Sequence, residues 1–263
     1  MKKRIVVKVG TSTLTLDDGN INLRTMNKLA QVLSALHHEG NEVILVSSGA
    51  IAVGVNKMRL PKKPTELRFK QATAAVGQCE LMHMYDLLFG EYGCMVGQIL
   101  LTGDDILNDS RRNNLINTFD ALLESGIIPI VNENDSVSAT EIESEKKVFG
   151  DNDMLSAIVA DLCHGDELII MSDIEGLYND NPRTNPMAKV IHKVEDVESV
   201  FSYAHGSGTN RGTGGMDTKL QAAKYVTDRG IDMYITRGNK PENLYDILAG
   251  KEVGTWFVSK EME

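Results

Sequence analysis

The chain has 263 residues, 42% of them hydrophobic and 24% charged. That balance excludes wholesale disorder, and the length suffices to bury roughly three quarters of the unfolded surface without staples. Lys and Arg total 27 against 37 Asp and Glu, for a net charge of −10, which argues against nucleic acid or an anionic membrane as partner.

The elements follow in chain order. Residues 4–9 form an apolar run that imitates a signal sequence, but Lys8 interrupts it and no stretch approaches the ~18 apolar residues of a membrane span. The run reads instead as a strand ending in Lys8-Val9-Gly10-Thr11-Ser12. A lysine in such a strand needs a partner or an anion, and Gly10 lets backbone approach a ligand; a charged sheet edge followed by a turn is the plainer alternative. Leu23, Met26, Leu29, Ala30, Leu33 and Leu36 then recur at helical spacing after an Asn22 cap and before Gly40. A strand at 42–47 runs into Ser47-Ser48-Gly49-Ala50, whose small residues free helix N-terminal amides for a carboxylate or phosphate, or simply cap the helix. Pro64 is expected to open the next helix, with Leu67, Ala72, Val76 and Cys79 inside.

A strand at 95–100, a helix at 110–124 and a strand at 127–131 lead to Asn132-Glu133-Asn134-Asp135, either a polar ligand site or an Asx-rich turn. A helix at 151–163 opens on Asp151-Asn152-Asp153; these are good capping residues, and two carboxylates can also orient lysines. A strand at 167–172 precedes a strand-poor segment, 179–210, expected to loop over the sheet. Next comes Gly212-Thr213-Gly214-Gly215-Met216-Asp217-Thr218-Lys219, opening a helix at 215–229. Glycines before a helix, with a lysine one turn inside, suit a phosphate cradle, although the spacing matches neither GxxxxGK[ST] nor GxGxxG. A strand at 231–236 and a helix at 242–249 close the pattern. Short apolar strands alternating with helices predict a doubly wound, mainly parallel α/β sheet, with ligands beyond the carboxyl ends of the strands. Cys79, Cys94 and Cys163 show no CxxC spacing and cannot all pair; they read as reduced thiols of a cytoplasmic protein.

The segments VVKVGTS, SSGAIAVG, VNENDSV, FGDNDMLSA, Ser172-Asp173 with the following Gly176-Leu177-Tyr178, and GTGGMDTKLQAA, in this order, resemble the amino acid kinase family. Within it they are similar to the branch that phosphorylates the γ-carboxylate of glutamate with Mg-ATP, the first step toward proline. The resemblance implies a three-layer α/β/α sandwich and a single kinase domain, 1–263, with an acceptor lobe at about 1–160 and a nucleotide lobe at about 161–263. A C-terminal PUA domain, common among relatives, is not expected. By resemblance Lys8, Lys219 and Asp153 are catalytic, Asp153 organising both lysines. Ser48, Asp135 and Asn152 match the glutamate-binding positions, Asp135 meeting the ammonium. Lys8, Ser172, Asp173, Thr213, Gly214, Gly215, Met216, Asp217, Thr218 and Lys219 match the ATP-binding positions. Mg²⁺ is expected on the ATP phosphates with no direct protein ligand. A homo-oligomer inhibited by proline is implied as well.

An ionised carboxylate acceptor needs no general base, which agrees with six histidines scattered along the chain. It needs charge neutralisation instead, because an anion approaches a polyanion. Where relatives have Asp-Pro after the Gly-Leu-Tyr segment, this chain has Asn181-Pro182, and neither receives a role. Two alternatives stand beside this reading: a sibling kinase acting on acetylglutamate, aspartate, carbamate or UMP, and a non-catalytic amino-acid sensor.

Overall fold

A computed structural model describes residues 2–16, 18–138, 151–182, 184–206 and 215–260. In chain order its elements are β1 (Arg4–Val9), α1 (Thr11–Leu14), α2 (Leu23–His38), β2 (Glu42–Val46), α3 (Ala50–Lys57), α4 (Leu67–Glu91), β3 (Val96–Leu101), α5 (Gly103–Leu107) and α6 (Asp109–Glu124). They continue with β4 (Ile128–Glu133), α7 (Asn152–Leu162), β5 (Glu167–Ser172), β6 (Lys193–Val194), α8 (Met216–Thr227), β7 (Asp232–Arg237), α9 (Asn243–Leu248) and β8 (Thr255–Phe257). The strands form one sheet in the order β3-β4-β2-β1-β5-β7-β8-β6, parallel throughout except for the β7–β8 pair.

Two cores cover the two faces. Ile5, Val7 and Val9 of β1 pack with residues of α2, α3, α4 and α9, whereas Val6 packs with those of α6, α7 and α8. This is the three-layer α/β/α sandwich. Successive strand residues point to opposite faces, so Lys8 lies on the Val6 face, toward α7 and α8. The chain builds outward from β1 in one direction through β2 and in the other through β5. Such a reversal opens a crevice at the carboxyl ends of the central strands.

Three expectations need correction. Pro64 does not open a helix: α4 begins at Leu67 after Glu66 and runs on to Glu91. Its buried face carries Thr73, Ala74, Gly77 and Leu81, while Val76 and Cys79 are exposed. The reason is the close crossing of α3 over α4. A Cβ on Gly54 would lie 1.9 Å from the Thr73 carbonyl oxygen, and one on Gly77 would lie 1.8 Å from that of Ala50. Small residues, not large apolar ones, decide that face. Finally, the segment expected as loop carries β6 and a 3₁₀ stretch at Glu198–Gly206, with Val194, Val197 and Val200 buried against the core.

Candidate active site

The centre of the site is the first turn of α7. Asp151 caps the helix, its Oδ1 accepting from the backbone N–H of Asp153 at 3.0 Å and of Met154 at 3.2 Å. This cap holds Asp153 inward, at 0% exposure, between two ammonium groups. Lys8 Nζ lies 2.5 Å from Asp153 Oδ1, and Lys219 Nζ lies 3.0 Å from Oδ2. Both lysines are themselves buried. Thr218 adds a hydroxyl lying 2.9 Å from the Gly215 carbonyl and 3.2 Å from Asp153 Oδ2. Burial by itself would raise the Asp153 carboxyl, but the charges of Lys8 and then Lys219 outweigh it and hold the group down at about 2. The trio keeps one net positive charge in a sheltered place, where an anion is attracted most strongly.

Around it, helices start on glycine. Gly10 before α1, Gly49 before α3 and Gly215 before α8 make no side-chain cap, and Gly49 takes φ +97°, a left-handed conformation suited to glycine. α2 and α6 are instead capped by the side chains of Asn22 and Asn108. The N-termini of α3 and α8, whose N-cap residues make no side-chain cap, turn the positive end of the helix dipole toward an anion.

On the β2–β4 side lies a network of amides. Asn152 Nδ2 shares its protons among the Ser47 carbonyl at 2.7 Å, Ser48 Oγ at 2.8 Å and Asn132 Oδ1 at 3.0 Å. Asn132 Oδ1 also accepts from the Glu133 N–H at 2.9 Å, and its Nδ2 donates to Gln78 Oε1 at 2.8 Å. Ser47 Oγ meets the Tyr85 hydroxyl at 2.8 Å. Nearby Asp135 is partly buried and makes no hydrogen bond or ion pair among the described residues. Burial first, and Glu133 second, push its carboxyl up to about 6 against the opposing charge of Lys63.

On the β5–α8 side opens a cleft of about 590 Å³, solvent included. Its lining includes Ser172, Asp173, Tyr178, Tyr203, Met216 and Lys219. Gly176 is required beside it, because a Cβ there would lie 2.6 Å from Thr255 Oγ1.

The structure therefore brings Lys8, Asp153 and Lys219 into contact, with Thr218 touching Asp153, and joins Ser48 to Asn152. Ser172, Asp173, Gly215 and Met216 line the cleft with Lys219; Asp217 is exposed on the first turn of α8 and is not among the lining residues. Thr213 and Gly214 lie outside the described residues. Asn132 stood in the sequence only as one of four polar residues of a ligand segment or Asx-rich turn, and Gln78 and Tyr85 went unassigned, because a lone amide and a lone tyrosine carry no spacing signature. Among the described residues no three His, Cys, Asp or Glu side chains converge to hold a metal ion, and no helix is long and apolar enough to cross a membrane.

A model of the Amino acid kinase family matches residues 3–237. The chain belongs to the amino acid kinase family. It is 56% identical over 262 residues to the glutamate 5-kinase of Clostridium perfringens (strain 13 / Type A), covering 99% of this chain and 97% of that protein. It is 53% identical to the glutamate 5-kinase of Listeria innocua serovar 6a, covering 99% and 95%. Among solved structures, the carbamate kinase of Giardia lamblia bound to AMP-PNP superposes with a TM-score of 0.70 at 14% identity, covering 98% of this chain and 99% of that one. At that identity the likeness is one of fold alone.

Proposed function

We propose that this chain transfers the γ-phosphoryl group of ATP to the γ-carboxylate of L-glutamate, forming L-glutamyl 5-phosphate, the first step of proline biosynthesis. The observation that carries the reading is the buried Lys8–Asp153–Lys219 trio in the crevice of a kinase-family fold, in a chain 52–56% identical to several glutamate 5-kinases.

The acceptor carboxylate is already ionised near neutral pH, so no base is needed. What opposes reaction is repulsion between that carboxylate and the phosphates, about 4 kcal/mol for two unit charges ~4 Å apart at an effective dielectric of 20. Lys8 and Lys219 offset it from two sides of the transferring group, and Asp153 keeps both ammonium groups in position before substrates arrive. No reorganisation is then needed as charge develops. The positive dipole end at the start of α8 adds to the field on the phosphates. Ser48 and Asn152 hold the acceptor, and Asp135, without a hydrogen bond or ion pair among the described residues, meets its ammonium group. Ser172 and Asp173 contact the nucleotide, whose base lies toward Tyr178 and Tyr203. Thr213 and Gly214 contribute contacts to the ATP phosphates. Among the described residues no side-chain cluster would cage a metal; a magnesium ion would be held through the ATP phosphates and would supply charge neutralisation there.

Residues 1–263 act as one kinase domain, acceptor lobe first and nucleotide lobe second. Proline shares the α-carboxylate and a cationic nitrogen with glutamate, so it competes for the Ser48–Asp135–Asn152 pocket.

An acyl phosphate reacts with hydroxylamine. Incubation with ATP, glutamate and hydroxylamine is expected to yield γ-glutamyl hydroxamate in step with ADP. ADP release without hydroxamate would contradict the acceptor assigned here.

A further inference from the structure

We propose that Gln78 is a specificity-determining residue for the acceptor, its side-chain Nε2 donating to the α-carboxylate of glutamate. The assignment rests on the reaction proposed above and adds a contact to it.

Two backbone groups dictate how three amides are turned. The Ser47 carbonyl can only accept, so the Asn152 atom 2.7 Å from it is Nδ2. That nitrogen also faces Asn132, 3.0 Å away, and the Glu133 N–H, which can only donate, faces the same Asn132 atom at 2.9 Å. The atom is therefore Oδ1, and Asn132 turns its Nδ2 toward Gln78. The Gln78 atom that receives this bond at 2.8 Å is in turn Oε1. What remains is Gln78 Nε2, two N–H donors on a partly buried side chain with no partner among the described residues. A glutamine free to flip could offer a carboxylate either its oxygen or its nitrogen; this one is committed to the nitrogen.

Its place suits the far end of the acceptor. Lys8 on β1, Val46 on β2 and Val131 on β4 are paired across the sheet, and Asn132 is the next residue. Two strand spacings separate β1 from β4, about 10 Å. The carboxyl carbons of an extended glutamate are ~5 Å apart by bond lengths of ~1.5 Å, and a hydrogen bond of ~2.8 Å at each end brings the span to about 10 Å. The backbone span from β1 to β4 thus matches an extended glutamate whose γ-carboxylate lies toward β1, and its α-carboxylate falls at the carboxyl end of β4, where Asn132 bonds Asn152 of α7 on one side and Gln78 of α4 on the other. The close crossing of α3 and α4 explains how Gln78 comes there, since its neighbour Gly77 rests against the Ala50 carbonyl at the start of α3.

The test is a specificity ratio, kcat/KM for glutamate over kcat/KM for its α-carboxamide analogue, measured with saturating ATP on the full chain. Gln78→Glu keeps the acceptor for Asn132 and replaces the donor by an anionic oxygen. It is expected to lower the ratio at least about tenfold, because the variant repels an α-carboxylate and accepts from an α-amide. The KM for ATP should stay within about twofold. Gln78→Met, neutral and of similar length, is expected to lower kcat/KM for glutamate about tenfold and to serve if the charged variant does not fold. An unchanged ratio in Gln78→Glu, or an equal loss toward both acceptors in Gln78→Met, would overturn the assignment alone. Wild-type ADP release that does not depend on glutamate would overturn the reaction, and this assignment with it.

Discussion

The two sides of the crevice are built on opposite plans. At the ends of β2 and β4, and into α7, polar side chains are tied to one another at 2.7–3.0 Å, so each donor and acceptor faces one way before any ligand arrives. Beside β5 and α8 the cleft is open to solvent, and its lining includes Tyr178, Tyr203 and Lys219. A small, charged acceptor offers little area and must be recognised through preorganised hydrogen bonds. A nucleotide offers a broad ring face and a polyanionic tail, so loosely placed aromatic walls and a cation suffice. The trio at Asp153 sits where the two plans meet.

This contrast ranks the expected effects of mutation. The largest belong to the junction. Lys8→Ala and Lys219→Ala should each lower kcat by about 10²–10³-fold or more, with thermal melts near that of the parent, because each removes a charge needed as the transition state forms. Lys219→Arg should rescue poorly, since a planar fork does not replace a compact ammonium group. Near-normal turnover in both Ala variants would erase the distinction between junction and flanks.

Next come changes on the hydrogen-bonded side. Asp135→Ala should raise the KM for glutamate by about tenfold or more, leave the KM for ATP nearly unchanged, and weaken inhibition by proline in parallel. Its pH dependence has a definite sign. The Asp135 carboxyl, raised to about 6, is ionised at pH 7 and protonated as pH falls through 6. A neutral carboxyl no longer attracts an ammonium group, so the KM for glutamate should rise between pH 7 and 5, and Asp135→Ala should flatten that rise. Asp153, held at about 2, stays ionised over the whole interval and contributes nothing to it.

The smallest effect is expected on the open side. Tyr203→Ala should raise the KM for ATP about fivefold, the ~1 kcal/mol at the low end for a base–aromatic contact because this ring stays partly exposed, and leave the KM for glutamate alone. Equal shifts in both constants would mean that the two sides are not separable.

Much of this architecture was legible in the sequence because it follows from periodicity. Apolar runs without alternation marked the buried parallel strands, and the single lysine inside the first of them called for a partner or an anion. Glycine and aspartate clusters marked the strand ends where ligands collect. What stayed hidden follows other rules. The buried face of α4 is chosen by a backbone crossing that only Gly54 and Gly77 permit, so reading large apolar residues gave the wrong face. β6 and β8, of two and three residues, are too short for any period to show. The amide relay through Asn152, Asn132 and Gln78 joins α7, β4 and α4, residues 54 and 20 positions apart, and no local spacing announces it.

The central claim is that glutamate is the acceptor, and one experiment addresses it directly: ATP-dependent ADP release measured in parallel with L-glutamate, N-acetylglutamate, aspartate, carbamate and UMP. The account predicts a kcat/KM for glutamate that exceeds every other by orders of magnitude and is lost in Lys219→Ala. A higher kcat/KM with any of the other acceptors, or ADP release that ignores the acceptor altogether, would contradict it.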